Sequence, residues 1–403
     1  MNRLRLHQFH GEINHKIKIT GSKSESNRLL ILQQLYPNLK VQNLSNSDDT
    51  NLMLAALSSD KKEINVGHAG TTMRFLTSLL SVKNGSDVVL TGSGRMKERP
   101  IQILVDALRT LGASITYLEN DGFAPLHIKG KKLVGGKVKI NGNVSSQYIS
   151  SLLLIAPSLE KGIELEFEGA ITSVPYIKMT LSLLDSLGIK TSFKGQFIKV
   201  APKDKIKDTL VTIESDWSSA SYYYSLIALS KKGKITLSSY KKESLQGDSV
   251  LSKLYLDFGV KTTFSEKSIT LEKINEFVNP AKITFDLIKA PDIAQTISVT
   301  CFGMGIACDL TGLHTLKIKE TDRLIALKQE LTKLGADISV SDQSLHLKAS
   351  KEIIPEVPIS TYQDHRMAMA FAPLLLKTNI LIEESDVVSK SYPTFWRDFS
   401  NFQ

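Results

Sequence analysis

The chain has 403 residues, of which 42% are hydrophobic and 23% are charged. This length exceeds what one ordinary core accommodates and predicts two domains of about 200 residues each. No apolar run reaches the roughly 18 residues that a membrane helix needs, and the N-terminal residues have no apolar signal segment. A cytoplasmic globular protein is therefore expected.

The charge balance favours an anionic partner, because 50 Lys and Arg face 41 Asp and Glu. The lysine pairs at 61–62, 131–132, 231–232 and 241–242 lie far apart, in turn-like stretches without interleaved aromatic residues. This distribution favours solvated loop lysines over a nucleic-acid-binding stripe. The two cysteines, Cys301 and Cys308, have no Cys/His cluster near them and are predicted to be small core residues. No metal site is predicted.

An internal repeat indicates the fold. Four glycines, each between an amphipathic run and a short alternating segment, are spaced 76, 71 and 76 residues apart at Gly112, Gly188, Gly259 and Gly335. This is the pattern of a helix C-terminus followed by a strand. With weaker copies near 35–44 and 374–382, the spacing predicts about six stacked α/β units, three in each domain.

Three segments in the first half of the chain are candidates for anion binding. The first, GSKSESNR at 21–28, lies between a strand-like run and an apolar helical run, so it is either an anion trap or a helix cap. The second, AGTTMR at 69–74, is equally a ligand loop or a cap. The third, RMKERP at 95–100, puts three cations at a helix N-terminus. This placement opposes the helix dipole and favours a nearby anion.

Polar turns with functional candidates continue through the chain. The segments at 143–148 and 173–176 each open an apolar helix and are caps or site loops. Asp292 and the run KIKETDR at 317–323 place carboxylates beside cations, which suits either a solvated helix start or proton transfer beside an anion. In DHRMAM at 364–369, the histidine could be a buried structural residue or part of a site.

In order and spacing, these segments together resemble the 5-enolpyruvylshikimate-3-phosphate synthases of the enolpyruvyl transferase family. The matching motifs are GSKSESNR, AGTTMR, RMKERP, SSQ, Ser-x-Pro-Tyr, PD, KETDR, DHRMAM and a late lysine before an aromatic-Pro pair. The resemblance implies an α/β fold of two similar domains, each made of three βαβαββ repeats in an inside-out α/β barrel. It also implies domains at 21–213 and at 1–20 plus 214–403, with the active site in the cleft between them.

The implied reaction transfers the enolpyruvyl group of phosphoenolpyruvate to the 5-hydroxyl of shikimate 3-phosphate and releases phosphate, without a metal or organic cofactor. The resemblance assigns catalytic roles to Lys23, Asp292, Glu320 and His365. It assigns shikimate 3-phosphate to Lys23, Ser24, Arg28, Ser145, Ser146, Gln147, Ser173, Asp292, Thr315 and Lys319. It assigns phosphoenolpyruvate to Lys23, Gly70, Arg99, Gln147, Arg323, Arg366 and Lys390. The resemblance implies a monomer that acts on small molecules, in a family that is the target of the phosphoenolpyruvate mimic glyphosate.

Three positions depart from the family pattern. His68 stands where Asn is common, Phe75 where Pro is common, and Thr315 where Asn can contact the substrate. The nearest alternative is the enolpyruvyl transferase that acts on UDP-N-acetylglucosamine. That enzyme opens with a Lys-Asn pair and usually carries a Cys in its phosphoenolpyruvate loop, whereas here Ser24 follows Lys23 and the loop at 95–100 has no Cys. A nucleic-acid binder is the alternative from another class.

Overall fold

The structure, a computed structural model, describes residues 2–171, 174–350 and 352–402. Its contacts divide the chain into two compact units. We call Gly21–Ile213 the continuous unit, and residues 2–20 together with 214–402 the discontinuous unit. Each unit has its own hydrophobic core. The chain therefore passes between units twice, at 20–21 and at 213–214.

The discontinuous unit supplies the first two strands, β1 (Arg3–Leu6) and β2 (Ile13–Ile17). The helices of the continuous unit are α1 (Lys23–Leu35), α2 (Asp48–Leu57), α3 (Gly70–Val82), α4 (Gly94–Lys97), α5 (Gln102–Thr110), α6 (Ser146–Ile155) and α7 (Val174–Ser186). Its strands are β3 (Leu39–Gln42), β4 (Glu63–Asn65), β5 (Asp87–Thr91), β6 (Ser114–Tyr117), β7 (Leu126–Lys129), β8 (Gly136–Asn141), β9 (Ile163–Glu168), β10 (Thr191–Lys194), β11 (Phe197–Val200) and β12 (Thr209–Thr212).

The rest of the chain completes the discontinuous unit. Its helices are α8 (Trp217–Leu229), α9 (Leu251–Leu254), α10 (Ala294–Met304), α11 (Arg323–Lys333), α12 (His365–Phe371) and α13 (Phe395–Phe399). Its further strands are β13 (Gly233–Ser238), β14 (Val260–Ser265), β15 (Ser268–Lys273), β16 (Lys282–Asp286), β17 (Ala307–Thr311), β18 (Ile338–Val340), β19 (Leu345–Leu347), β20 (Pro358–Ile359) and β21 (Ile380–Glu383). Short 3₁₀ helices include Pro291–Ile293, His314–Ile318 and Ser385–Lys390.

Four sheets show the same repeat. The strand orders are β4-β5-β7-β6, β8-β9-β11-β10, β2-β13-β15-β14 and β16-β17-β19-β18. In each, the first two strands are parallel and the last two form an antiparallel hairpin, which is the βαβαββ unit implied by the family resemblance. Those glycines precede the hairpins with positive φ, from +71° at Gly188 to +100° at Gly335. Glycine adopts this backbone without a steric penalty.

The two remaining repeats are shorter and join distant parts of the chain. In the continuous unit, β3 pairs in parallel with β12. In the discontinuous unit, β21 pairs in parallel with β20 and antiparallel with β1. These are the weaker copies expected near 35–44 and 374–382.

Each unit has a set of largely buried helices, such as α3, α6 and α8, while others, such as α2 and α11, keep an exposed face. In the continuous unit α1, α3 and α6 pack against one another, and in the discontinuous unit α10 packs against α8 and α12. Helix α8 is buried along nearly its whole length, as expected for a helix that is apolar or small on all sides. The strands instead alternate buried and exposed residues, as in β8 and β11. The predicted inside-out α/β architecture is confirmed.

Two predictions from composition, the buried cysteines and the exposed lysine pairs, are also confirmed. Cys301 and Cys308 are free and fully buried. All eight residues of the four lysine pairs are exposed and lie outside helices and strands. No helix in the described ranges is long and apolar enough to cross a membrane.

Candidate active site

The three interior helices of the continuous unit all begin at predicted motifs. Helix α1 starts at Lys23, α3 at Gly70 and α6 at Ser146. The first turns of α3 and α6 lie together, because the Gln147 side-chain amide donates to the Thr71 hydroxyl at 3.1 Å. Backbone N–H groups at helix N-termini are unpaired and carry partial positive charge. We call this end of the three helices the continuous pole; it is suited to anions.

Lys23 lies at this pole with a carboxylate beside it. Its Nζ is 3.0 Å from Asp49 Oδ2, and the side chains of Lys23 and Asp49 are 27% and 6% exposed. Asp49 is the second residue of α2, in the first turn, where the helix dipole favours a carboxylate. Sequence reasoning did not select Asp49. The sequence feature that could have indicated Asp49 is the acidic pair Asp48-Asp49 directly after the N-cap residue Ser47.

Arg28 has a different environment from Lys23. It is buried, and its guanidinium donates to Thr180 Oγ1 at 2.8 Å, to the Ser24 carbonyl at 2.8 Å and to Ser150 Oγ at 2.9 Å. Burial lowers the pKa of Arg28 to about 10. These bonds tie α1 to α6 and α7. Arg28 therefore stabilises the pole in addition to the binding role implied by its motif.

Two guanidinium groups converge on the backbone of Gly70. A Cβ atom added there would lie 2.6 Å from Arg99 Nη1 and 2.8 Å from Arg74 Nη1. Arg74 also donates to the Gly70 carbonyl at 2.8 Å. Like charges so close together create a strongly positive spot, which an anion would neutralise. Arg99 was predicted; Arg74 was missed, although its i+4 spacing from Gly70 puts both on one face of α3.

The remaining predicted residues of this unit surround the helix starts. Ser145 is the N-cap of α6 and its hydroxyl accepts from the Gln147 backbone N–H at 3.4 Å. Ser146 and Ser24 lie in the first turns of α6 and α1. Ser173 lies outside the described residues. Of the departures from the family pattern, His68 is exposed and Phe75 is buried.

The discontinuous unit has an equivalent pole. Helices α8, α10 and α12 begin near one another, because Arg366 Nη2 donates to Ser218 Oγ at 3.2 Å and Arg366 Nη1 donates to the Asp292 carbonyl at 3.2 Å. Asp364 caps α12 by accepting the Arg366 backbone N–H at 2.8 Å. We call this end the discontinuous pole. It carries the predicted PD, KETDR and DHR segments.

Arg323 is at the centre of the discontinuous pole. Its guanidinium is 2.9 Å from Asp292 Oδ1, 2.7 Å from Glu320 Oε2 and 2.6 Å from Asp364 Oδ2, and its side chain is only 2% exposed. Such bonds between ionised partners are the strong kind. Arg323 thus fixes three carboxylates that come from three separate segments of the chain.

Asp292 and Glu320 are held ionised by their neighbours. Asp292 is also 3.4 Å from Lys319 Nζ and 3.5 Å from Arg366 Nη2. Burial opposes its ionised form, but the cations Lys319, Arg366 and Arg323 outweigh burial and hold the pKa of Asp292 well below its usual range. Burial of Glu320 is likewise outweighed, mainly by Arg323, so its pKa is also well below the usual range.

The other predicted residues of this unit differ in how closely they join the network. Lys390 Nζ is 2.9 Å from Glu320 Oε1, so Lys390 belongs to it. His365 is buried, with Nδ1 3.8 Å from Asp364 Oδ1. Thr315 lies in the 3₁₀ helix His314–Ile318, and its buried hydroxyl has no hydrogen-bond partner within the described ranges.

Sequence reasoning missed Asp364, Ser218 and Asp248 at this pole. Ser218 donates its hydroxyl to the buried carboxylate of Asp248 and accepts from Arg366. Burial, followed by repulsion from Asp292, raises the pKa of Asp248 to about 6. An Asp before an apolar helix was the available signal for Asp364. No local pattern distinguishes Asp248, because its neighbours come from distant segments.

Together the two poles define an enzyme for small anionic substrates. Each offers helix N-termini and clustered cations, and the discontinuous pole adds ionised carboxylates held by several cations. No group of three or more His, Cys, Asp or Glu side chains in the described ranges is arranged to hold a metal ion.

Comparisons with known proteins agree with this class. The sequence model of the EPSP synthase (3-phosphoshikimate 1-carboxyvinyltransferase) family matches residues 57–399. The chain is 44% identical over 392 residues to a 3-phosphoshikimate 1-carboxyvinyltransferase of Bacteroides fragilis (strain YCH46), covering 96% of this chain and 95% of that one. It is 36% identical over 420 residues to the enzyme of the same name from Histophilus somni (strain 2336), covering 96% of each. A solved EPSP synthase from Acinetobacter baumannii has the same fold, with a TM-score of 0.82 at 20% identity over 99% of this chain and 98% of that chain.

The chain belongs to the EPSP synthase family. The resemblance drawn from the nine motifs is confirmed, as is the expected class of transferase. The alternative transferase is not favoured, since the curated relatives carry the name of the shikimate enzyme.

Proposed function

We propose that this chain transfers the enolpyruvyl group of phosphoenolpyruvate to the 5-hydroxyl of shikimate 3-phosphate and releases inorganic phosphate. The observation that carries the proposal is the network at Arg323, where the carboxylates of Asp292 and Glu320 are each held by several cations. Family membership supplies the reaction, and this network supplies its acid–base groups.

Charge supports the pairing of these substrates with this chain. Two phosphates of about −1.5 to −2 each and two carboxylates bring roughly −5 to −6 in total. The structure offers Lys23 and Arg99 at the continuous pole, and Arg366 and Lys390 at the discontinuous pole. Binding would neutralise cations that otherwise repel one another, as at Gly70.

We assign the substrates as the family motifs suggest. Shikimate 3-phosphate is assigned to Lys23, Ser24, Arg28, Ser145, Ser146, Gln147, Ser173, Asp292, Thr315 and Lys319. Phosphoenolpyruvate is assigned to Lys23, Gly70, Arg99, Gln147, Arg323, Arg366 and Lys390. The convergence of two guanidiniums on Gly70 supports an anionic group there, and we add Arg74 to that set.

Asp292 is the proposed acceptor of the 5-hydroxyl proton. Its low pKa in the free protein makes it a weak base, because three cations stabilise its charge. Bound substrate anions would share those cations, so the pKa of Asp292 would rise towards the range useful for a base. The base would thus be activated only when the substrates are present.

The electron flow follows from this assignment. The 5-oxygen forms a bond to C2 of phosphoenolpyruvate while the methylene carbon gains a proton, which gives a tetrahedral intermediate. The donor is Lys23, or Glu320 once bound substrate anions raise its pKa so that it takes up a proton, as proposed for Asp292. The C2–O bond to phosphate then breaks with its electron pair on phosphate, and the methyl carbon returns a proton to the group that supplied it, which restores the double bond. His365, buried beside Asp364, helps to orient these groups. The proposed transfer uses no metal or organic cofactor.

The wider setting is proposed on the same basis. The units at 21–213 and at 1–20 plus 214–403 would act as two domains with the active site in the cleft between them, in a monomeric cytoplasmic enzyme that does not bind nucleic acid. Glyphosate would compete with phosphoenolpyruvate, since both are small anions. Support comes from the separate cores and from the dispersed, exposed lysine pairs.

A coupled phosphate-release assay tests the proposal. Purified protein should release phosphate when shikimate 3-phosphate and phosphoenolpyruvate are both present, and not with either alone. Replacing shikimate 3-phosphate by UDP-N-acetylglucosamine should abolish release. Lack of turnover by folded protein with both substrates would refute the assignment.

A further inference from the structure

The turn that precedes α12 has an unusual backbone. Tyr362 and Gln363 both have φ of +55°, and the Asp364 N–H donates to the Thr361 carbonyl at 2.9 Å. Positive φ at both central residues is the pattern of a type I′ turn, which favours Gly and Asn. Tyrosine and glutamine carry a steric penalty in this region. The surrounding structure must therefore hold the turn in place.

Glu330 supplies that restraint. This side chain on α11 is 1% exposed. The Tyr362 hydroxyl donates to Glu330 Oε1 at 2.6 Å, and the Ser360 backbone N–H donates to Glu330 Oε2 at 3.0 Å. Burial and then the bond to Glu330 raise the pKa of Tyr362, so the phenol stays protonated and remains a donor. The buried carboxylate of Glu330 thus accepts one hydrogen bond from the turn, at Tyr362, and one from Ser360, just before the turn.

The turn carries groups of the discontinuous pole. Asp364, its last residue, caps α12 and accepts from Arg323 Nε at 2.6 Å. Arg366 lies in the first turn of α12 and reaches Asp292 and Ser218. Any shift of the turn would therefore move Asp364, Arg366 and the guanidinium of Arg323 together. Strained backbone that is held by its surroundings is characteristic of functional sites.

The same restraint extends to the segment that carries Lys390. The Thr361 hydroxyl donates to Glu384 Oε2 at 3.2 Å. Glu384 itself has φ of +49° and starts the 3₁₀ helix Ser385–Lys390. Glu384 thus precedes Lys390 as the strained turn precedes Arg366, and in both cases a non-glycine residue has positive φ. The Thr361–Glu384 hydrogen bond joins the two segments.

We propose that Glu330 and Tyr362 are positioning residues: their hydrogen bond holds the strained turn so that Arg366 and Arg323 are preset for phosphoenolpyruvate. The inference rests on the proposed function. Glu330 follows Arg323 by seven residues, about 10 Å along α11. It therefore acts through the turn rather than by touching the substrate.

The test is Tyr362→Phe, which removes one hydroxyl and keeps the ring. We expect the KM for phosphoenolpyruvate to rise about 10-fold, as for loss of a hydrogen bond to a charged partner, with the KM for shikimate 3-phosphate within twofold of wild type. The control is Tyr224→Phe, which loses a 2.8 Å bond to Thr262 away from the turn and should change neither KM. Adding Gln363→Gly to Tyr362→Phe should restore most of the lost affinity, because glycine adopts positive φ without a penalty.

The outcomes separate this inference from the proposed function. If wild-type protein turns over but Tyr362→Phe changes both KM values equally, or lowers only the melting temperature, the positioning role is wrong. If wild-type protein shows no turnover, the proposed function fails, and with it the link to phosphoenolpyruvate. Amide hydrogen exchange at 361–367 then decides whether the restraint itself exists. Faster exchange in Tyr362→Phe than in Tyr224→Phe supports it, and equal exchange overturns it.

Discussion

The two poles begin from the same architecture and differ in how their charges are balanced. At the continuous pole Lys23 pairs with one carboxylate, that of Asp49, and the guanidiniums of Arg74 and Arg99 converge on the backbone of Gly70. At the discontinuous pole, by contrast, Arg323 alone contacts three carboxylates. Helix N-termini make both poles positive, so the added side chains decide what each pole can do.

This difference indicates a division of roles. Two guanidiniums that converge on one backbone site, as at Gly70, favour an anion there because it relieves their mutual repulsion. A dense network of acids and cations instead positions groups and exchanges protons, and it resists movement because each member has several partners. We therefore expect the continuous pole to serve mainly binding, and the discontinuous pole to serve binding together with acid–base chemistry.

The largest expected effect comes from removing Lys23, which serves the continuous pole's binding role and is also a candidate proton donor. Lys23→Met should lower kcat by roughly 10³-fold or more, since it removes both a cation next to developing charge and a possible acid. Steady-state phosphate release measures this loss, with circular dichroism to show that the variant is folded.

The matched control for Lys23 is Lys137→Met. Lys137 is exposed and pairs with Glu166 at 2.6 Å, in the same unit but on strand β8. Its loss should leave turnover unchanged. Near-normal kcat in Lys23→Met would show that Lys23 is not the proton donor. The acid–base groups would then all belong to the discontinuous pole.

A smaller effect is expected at Gly70, where the crowding of two guanidiniums can be tested without removing a charge. In Gly70→Ala the new methyl group would lie 2.6 Å from Arg99 Nη1, so the guanidinium must move. We expect the KM for phosphoenolpyruvate to rise roughly 10- to 100-fold, equivalent to about 1.4–2.7 kcal/mol. Titration of both substrates in the same assay measures it.

Gly94→Ala is the control for Gly70→Ala, because a Cβ at Gly94 meets no atom within 4 Å. This variant should bind both substrates as wild type does. If Gly70→Ala leaves the KM for phosphoenolpyruvate unchanged, the anion assigned to Arg74 and Arg99 binds elsewhere, and the continuous pole holds only shikimate 3-phosphate.

The sequence predicted the fold because its signals are local and repeated. A glycine such as Gly112 or Gly335 is needed wherever a helix ends with positive φ before a hairpin, and this need recurs in each full repeat. The shortened repeats were weaker signals because β3 and β21 find partners, β12 and β1, far away along the chain. Pairing over such distances leaves no local pattern.

The grouping of the candidate site residues was predictable where one motif carries several of them, as in the segments at 21–28 and 317–323. It was not predictable where a residue acts through a distant partner. Arg28 is a clear example. The sequence shows a cation at a helix start, but it does not show that the guanidinium donates to the buried hydroxyls of Ser150 and Thr180. Asp248 and Glu330 likewise gain their importance only from packing.

The smallest expected effect concerns the free energy of unfolding. It tests whether repulsion between the carboxylates of the discontinuous pole destabilises the folded protein. Burial and the charge of Asp292 raise the pKa of Asp248 to about 6. The folded protein therefore holds this proton in a pH range where the unfolded chain has released it, and stability falls as the pH rises from the ordinary pKa of Asp through 6.

The variant Asp248→Asn lacks this pH-dependent loss of stability. It should be more stable than wild type at pH 8, by on the order of 2 kcal/mol, and similar near pH 4. Thermal melts across this range measure the difference, with the exposed Asp257→Asn as control. If Asp248→Asn is instead less stable at pH 8, the carboxylate is a net stabilising partner of Ser218 and Arg366, and the acids of this pole are fully compensated by its cations.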